Sequence, residues 1–88
     1  PTEISLSQNY PNPFNPNTVI KYTLSKTNNV QLKIYNTRGI IIKELVNERQ
    51  LSGDHSYNFN ATVYPSGVYY YKLTVNGSTE TKAMMLVK

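Results

Sequence analysis

The sequence contains no cysteine and no tryptophan, and its single histidine is His55. Without thiols there is neither a disulfide framework nor a thiolate metal site, so packing and backbone pairing must hold the fold. Alanine occurs only as Ala61 and Ala83, so the best helix former is almost missing. No apolar run approaches the roughly 20 residues that a membrane-spanning helix needs. No signal-peptide pattern opens the chain, and its start at Pro1, without methionine, is the expected mark of a module cut from a longer protein. Five acidic residues against nine basic ones leave a net charge of +4. The length of 88 residues is that of one domain, expected as an Asn/Pro-rich segment over 1–17 packed on a β-sandwich over 18–88.

What is present favours strands. Eight tyrosines, two phenylalanines and many Val, Ile and Thr residues suit a pleated, half-buried surface. Eleven asparagines, five prolines and four glycines supply turns. The stretch from Asn9 to Asn17 packs three prolines and four asparagines into nine positions. Each proline drives its predecessor toward extended geometry and removes an N–H donor, which excludes a helix and a central strand. Tyr10 and Phe14 are the large apolar groups of this segment and are expected to anchor it by capping the core.

From Thr18 onward the hydrophobic period is two. Ile20, Tyr22 and Leu24 form one inward row, and Val30, Leu32 and Ile34 form another. Asn36 to Gly39 reads as a turn. Residues 40–51 fit either a helical face or a strand; the triple isoleucine favours a strand whose bulge near Glu44 lets Ile42 and Leu45 both point inward. His55, Tyr57 and Phe59 alternate next. Tyr64 to Gly67 reads as a turn with proline second and glycine fourth. Tyr69, Tyr71, Leu73 and Val75 share one face of the following strand, and Asn76-Gly77 suits a two-residue hairpin before a last strand running toward Lys88. The pattern predicts an all-β, immunoglobulin-like antiparallel β-sandwich of about seven strands.

Residues for chemistry are sparse. Asp54 and His55 are strand neighbours and point to opposite faces, so they do not form a base and its orienter. None of the seven serines lies in a Gly-x-Ser-x-Gly elbow. Glu3, Glu44, Glu48 and Glu80 show no metal-ligand spacing outside a helical reading of 44–48. No enzyme activity, metal or cofactor is expected. Lys21, Lys33 and Lys72 are scattered singly over solvent-facing positions, an arrangement that serves solubility and blunts edges rather than binding nucleic acid. Tyr35 and Tyr70 are predicted outward and could form a sugar platform or pack as a cross-strand pair. Asn60-Ala61-Thr62 and Asn76-Gly77-Ser78 match the glycosylation acceptor pattern, although Asn76 has a sufficient turn role.

Four elements in order resemble one family: Leu6-Ser-Gln-Asn-Tyr-Pro-Asn-Pro-Phe-Asn-Pro16, Ile34-Tyr-Asn36 followed by Gly39, Gly53-Asp-His55, and Pro65-Ser-Gly-Val-Tyr69. The chain is similar over about Leu6 to Lys88 to the type A C-terminal sorting domain of the type IX (Por) secretion system. That resemblance implies a non-catalytic signal at the end of an exported cargo protein. Its implied partners are the outer-membrane translocon and a surface sortase. Its implied route runs through the periplasm to the cell surface or the medium. The residues it implicates are Tyr10, Pro11, Asn12, Pro13, Phe14 and Asn15, then Pro65, Gly67, Val68 and Tyr69, and finally Lys82, Met84, Leu86 and Lys88. Ala83 stands where a second lysine is usual, Phe59 where a tryptophan is usual, and Ile40 where a basic residue is common. The immunoglobulin-like domain of flagellar hook-capping proteins shares the Pro-Asn-Pro-Phe and Ile-Tyr elements and implies an alternative role in assembly.

Overall fold

The computed structural model describes residues 4–88, and the expectations for Pro1, Thr2 and Glu3 lie outside the described residues. Seven strands follow one another: β1 (Ile4–Leu6), β2 (Asn17–Leu24), β3 (Asn28–Tyr35), β4 (Ile41–Gln50), β5 (Gly53–Asn60), β6 (Gly67–Val75) and β7 (Ser78–Leu86). They form two antiparallel sheets in the orders β1-β2-β5 and β4-β3-β6-β7. The expected all-β sandwich is therefore the architecture observed. β2 and β3 lie in facing sheets rather than pairing with each other.

The core follows from the period-two rows. Ile20, Tyr22 and Leu24 of one sheet meet Val30, Leu32, Ile34, Tyr71, Leu73 and Val75 of the other, all buried. Burying each of the larger apolar side chains contributes about 1.5–3 kcal/mol, which supplies a core without disulfides. The chain reverses between β6 and β7 at Asn76 (φ 48°) and Gly77 (φ 83°), with Val75 opposite Ser78. Both positive φ values belong to the tight hairpin turn that an Asn-Gly pair favours.

Residues 41–50 form a strand, as the isoleucine run suggested. Its register against β3 slips twice: Leu32 faces Val46 while Lys33 faces Glu44, and Ile34 faces Lys43 while Tyr35 faces Ile41. The extra residues are Leu45 and Ile42, and both pack partly buried against the core. The parity shift expected near Glu44 is thus present, and a second one joins it.

Two local expectations need correction. Segment 1–17 is not irregular throughout, because Ile4 and Leu6 are buried in β1 and pair with β2. The turn expected at Tyr64–Gly67 falls three residues earlier, where the Tyr64 N–H donates to the Ala61 carbonyl at 3.0 Å. Asn60 starts that reversal: its side-chain oxygen accepts from the Thr62 N–H at 2.9 Å, the local alternative that asparagine offers the backbone. Pro65 and Gly67 instead lead into β6, with Gly67 at φ 153°.

Candidate functional site

The Asn/Pro segment closes one side of the sandwich. After β1, the Ser7 N–H donates to the Lys21 carbonyl, and Tyr10 exchanges two backbone bonds with Val19 at 3.0 and 2.9 Å. The segment thus continues along the edge of β2 that β1 is too short to cover. It then crosses to the other sheet. The Phe14 N–H donates to the Met85 carbonyl at 2.9 Å, and the Val87 N–H donates to the Phe14 carbonyl at 3.0 Å, making a parallel bridge to Leu86. The Asn12 side-chain oxygen accepts from the Met85 N–H at 2.9 Å, and the Gln8 amide donates to the Ala83 carbonyl at 2.7 Å. The peptide bonds preceding Pro11, Pro13 and Pro16 are all cis.

The asparagine-rich composition therefore has a structural use: its side chains act as backbone substitutes. Asn9 is buried (2% exposed) and donates to the Pro11 carbonyl at 3.1 Å and to the Thr18 hydroxyl at 3.0 Å. The Thr18 hydroxyl donates to the same Pro11 carbonyl at 2.9 Å. The Asn9 N–H donates to the Tyr71 hydroxyl, which itself donates to the Ser7 carbonyl, both at 2.7 Å. Gln8 completes the set by donating to the Asn9 side-chain oxygen at 2.8 Å. Burial pushes the Tyr71 hydroxyl up to about 12, against a smaller opposing effect of the Asn9 hydrogen bond. At neutral pH it is a fixed neutral donor and acceptor, pinning the segment to the centre of the four-stranded sheet.

Phe14 anchors the crossing. Its ring is 2% exposed and lies 6.3 Å from Phe59, which stacks on Tyr64 at 6.0 Å; Tyr64 in turn meets Tyr69 at 6.2 Å. The Tyr69 hydroxyl donates to the Pro65 carbonyl at 2.7 Å, and burial raises its pKa. The last residue joins the same pole, since the Lys88 N–H donates to the Ser66 hydroxyl at 3.0 Å and its ammonium to the Thr62 carbonyl at 2.6 Å.

The structure thus brings together the Asn/Pro segment, the Pro65–Tyr69 run and the chain end, which are far apart in sequence. It also sorts their side chains. Pro11, Asn12, Pro13, Asn15, Pro65 and Lys88 are exposed, and Gly67, Val68 and Lys82 are half-buried. Tyr10 does not cap the core: its ring is 80% exposed, because the segment holds this residue by its backbone. Phe14, Tyr69, Met84 and Leu86 are buried, and the apolar groups that β7 and its end present outward are Met85 and Val87. Met84 and Leu86 lie on the inward row of a two-period strand, which leaves them no surface to offer a partner. Sequence reasoning missed the Gln8, Asn9, Thr18 and Tyr71 network. Asn9 looked like turn chemistry, and its partners sit as far as 62 residues away.

Other groups do not assemble. His55 lies at a rim, stacked on Tyr22 with ring centres 5.4 Å apart and bonded to the Leu51 carbonyl at 2.7 Å. Asp54 accepts from the Thr23 hydroxyl instead. Among the described residues no cluster of three or more His, Asp or Glu side chains could hold a metal ion, and no helix is long and apolar enough to cross a membrane.

Residues 8–88 match the model of a family described as the secretion system C-terminal sorting domain. Comparison with the curated proteins found no match. Among solved structures, the chain is similar to the crystal structure of the PmoD soluble domain from Methylocystis sp. ATCC 49242 (Rockwell). That likeness has a TM-score of 0.58 and 14% identity, covering 96% of this chain and 89% of the other. At that identity it carries the fold alone.

Proposed function

Since the chain belongs to the family of secretion system C-terminal sorting domains, a type IX sorting signal, we propose that the signal is read on the side of the sandwich that the Asn/Pro segment closes. Family membership ties the domain to a type IX secretion machinery, to a cargo in the same parent chain and to an exported fate. The family is non-catalytic in general, and a sorting signal needs only a surface.

The observation that carries the proposal is the meeting at one pole of three separated sequence elements: the Asn/Pro run, Pro65–Tyr69 and residues 82–88. Exposed Tyr10, Met85, Val87 and Lys88 give this side apolar and cationic groups fixed to a rigid frame. A segment held in place before encounter loses little conformational entropy on binding. A strand-addition partner for β7 would have to displace that segment between Ala83 and Val87, which makes side-chain reading of the intact surface the simpler mode. In this reading the outer-membrane translocon receives the folded domain from the periplasm. A surface sortase then removes it and attaches the cargo to lipopolysaccharide, at the cell surface.

The test is a fusion of residues 1–88 to a periplasmic reporter in a type IX-competent host and in a translocon-deficient one. The expected result is export in the first host only, with loss of about the 10.0 kDa of this domain from the surface-bound reporter. Equal retention of the reporter in both hosts would contradict the proposal. Export at undiminished mass would remove the sortase step alone.

A further inference from the structure

The outer face of the four-stranded sheet carries a feature apart from the three sorting elements. Tyr35 on β3 and Tyr70 on β6 are direct cross-strand partners. Their rings make no aromatic contact with each other, and a shallow cleft of about 440 Å³, open to solvent, lies there. It is lined by both tyrosines together with Asn36, Thr37, Lys72 and Thr81. Its lining pairs two aromatic residues with a few polar groups, the composition found in small-molecule sites.

The chemistry of the lining is one-sided. Neither phenol hydroxyl, neither threonine hydroxyl nor the Lys72 ammonium has a hydrogen-bond partner among the described residues. No carboxylate lines the cavity. Lys33 stands directly opposite Lys72 across the strands, and Glu44 lies 3.9 Å from Lys33 rather than from Lys72. Among the cleft-lining residues Lys72 therefore has no carboxylate partner, and the two tyrosines and two threonines supply aromatic and hydroxyl groups beside it. Tyrosine rings take the C–H side of a sugar ring, the hydroxyls take its hydroxyl oxygens, and the ammonium takes a carboxylate.

We propose that this cleft binds an acidic saccharide, with the pyranose ring over the side-by-side tyrosines Tyr35 and Tyr70 and a carboxylate on Lys72. The cleft shares no residue with the sorting surface, although Met85 projects from the same outer face near Tyr70, so either can be tested by its own substitutions. The separate cleft equips the domain to hold a uronate-containing glycan.

The test is an amide NMR titration of the 88-residue chain with trigalacturonate, with maltotriose as the neutral comparison. Saturable shifts at Tyr35, Thr37, Tyr70 and Lys72 are expected with trigalacturonate, and weaker ones at the same residues with maltotriose. Lys72→Gln should weaken trigalacturonate binding about tenfold, the loss of a charge-assisted hydrogen bond, while leaving maltotriose unchanged. Tyr70→Ala, at an exposed position that leaves the core alone, should abolish both. The proposal is overturned by no saturable shifts, by shifts spread over lysines elsewhere, or by shifts caused by self-association of this face. Binding that persists unchanged in Tyr70→Ala would overturn it equally.

Discussion

The two long sides of this sandwich solve the same problem in opposite ways. On one side the edges of β2 and β7 are covered by residues 7–14, with main-chain bonds at Ser7, Tyr10 and Phe14 and side-chain bonds from Gln8 and Asn12. On the other side β4 and β5 end their sheets without a further strand. There β4 is bulged twice and carries exposed Lys43, Glu44, Glu48 and Arg49, while β5 exposes Asp54, Ser56, Asn58 and Asn60. Bulges and charge discourage another chain from adding to an open edge. Both sides expose apolar groups, Tyr10, Met85 and Val87 on the covered side and Ile41 and Leu51 on the open one, but only on the covered side does a segment occupy the neighbouring backbone donors. One side relies on bulges and charge, and the other on a covering segment.

The largest expected effect lies at the anchor of the covered side. Phe14→Ala should cost about 3–5 kcal/mol in a urea melt, the range for deleting a buried phenylalanine ring. It should also release the protection of the Met85 and Val87 amides, which pair with this segment. A change near zero would show that the segment is a loose linker and that the two sides do not differ.

Next comes the hydrogen-bond network behind it. Tyr71→Phe keeps the buried ring and removes the hydroxyl that serves both Ser7 and Asn9. It should cost about 1–3 kcal/mol, the penalty for buried polar groups left without partners. The same hydroxyl gives the covered side a pH signature. Its pKa is about 12 in the fold against 10.0 when free, so the folded state holds the proton more tightly. The resulting stability is complete below pH 10 and is lost as pH rises from there toward 12. Urea melts of the native chain should weaken across that window, and Tyr71→Phe should reduce the slope, leaving what the buried Tyr22 and Tyr69 hydroxyls contribute. An unchanged slope would place the titration elsewhere.

The smallest effects are expected at the surface. Tyr10→Ala should change stability by no more than about 0.5 kcal/mol, because its ring is exposed and its backbone bonds remain. Glu44→Gln on the open side should do no more, since it breaks an exposed ion pair with Lys33 that is 3.9 Å long. A large loss for Tyr10→Ala in the same melts would mean that the ring is buried.

Most of the sandwich was legible in the residues themselves. Tyr69, Tyr71, Leu73 and Val75 show a plain alternation, and Asn76-Gly77 admits few turns other than the one observed. The bulged strand was half legible: Ile42, Leu45 and Val46 fit either a helical face or a strand with a parity shift, and the isoleucine run favoured the strand. The covered side was harder. A residue bracketed by prolines has no period, so nothing local says that Phe14 turns in while Tyr10 turns out. Met84 and Leu86 were implicated through resemblance, and the alternation of their own strand places them in the core. The Asn9 network and the Tyr35–Tyr70 cleft both depend on pairings between distant segments, which strand patterns alone do not specify.

The most direct measurement compares export of the reporter fusion carrying Met85→Asp with Val87→Asp against export of the fusion carrying Leu51→Asp. All three positions are exposed, so each fusion should remain folded. The first pair alters the side that the Asn/Pro segment closes, and Leu51 lies on the open side in the β4–β5 connection. Export should fall sharply with the first pair and stay unchanged with Leu51→Asp. Unimpaired export with the first pair, or loss with Leu51→Asp alone, would contradict a sorting signal read on the covered side.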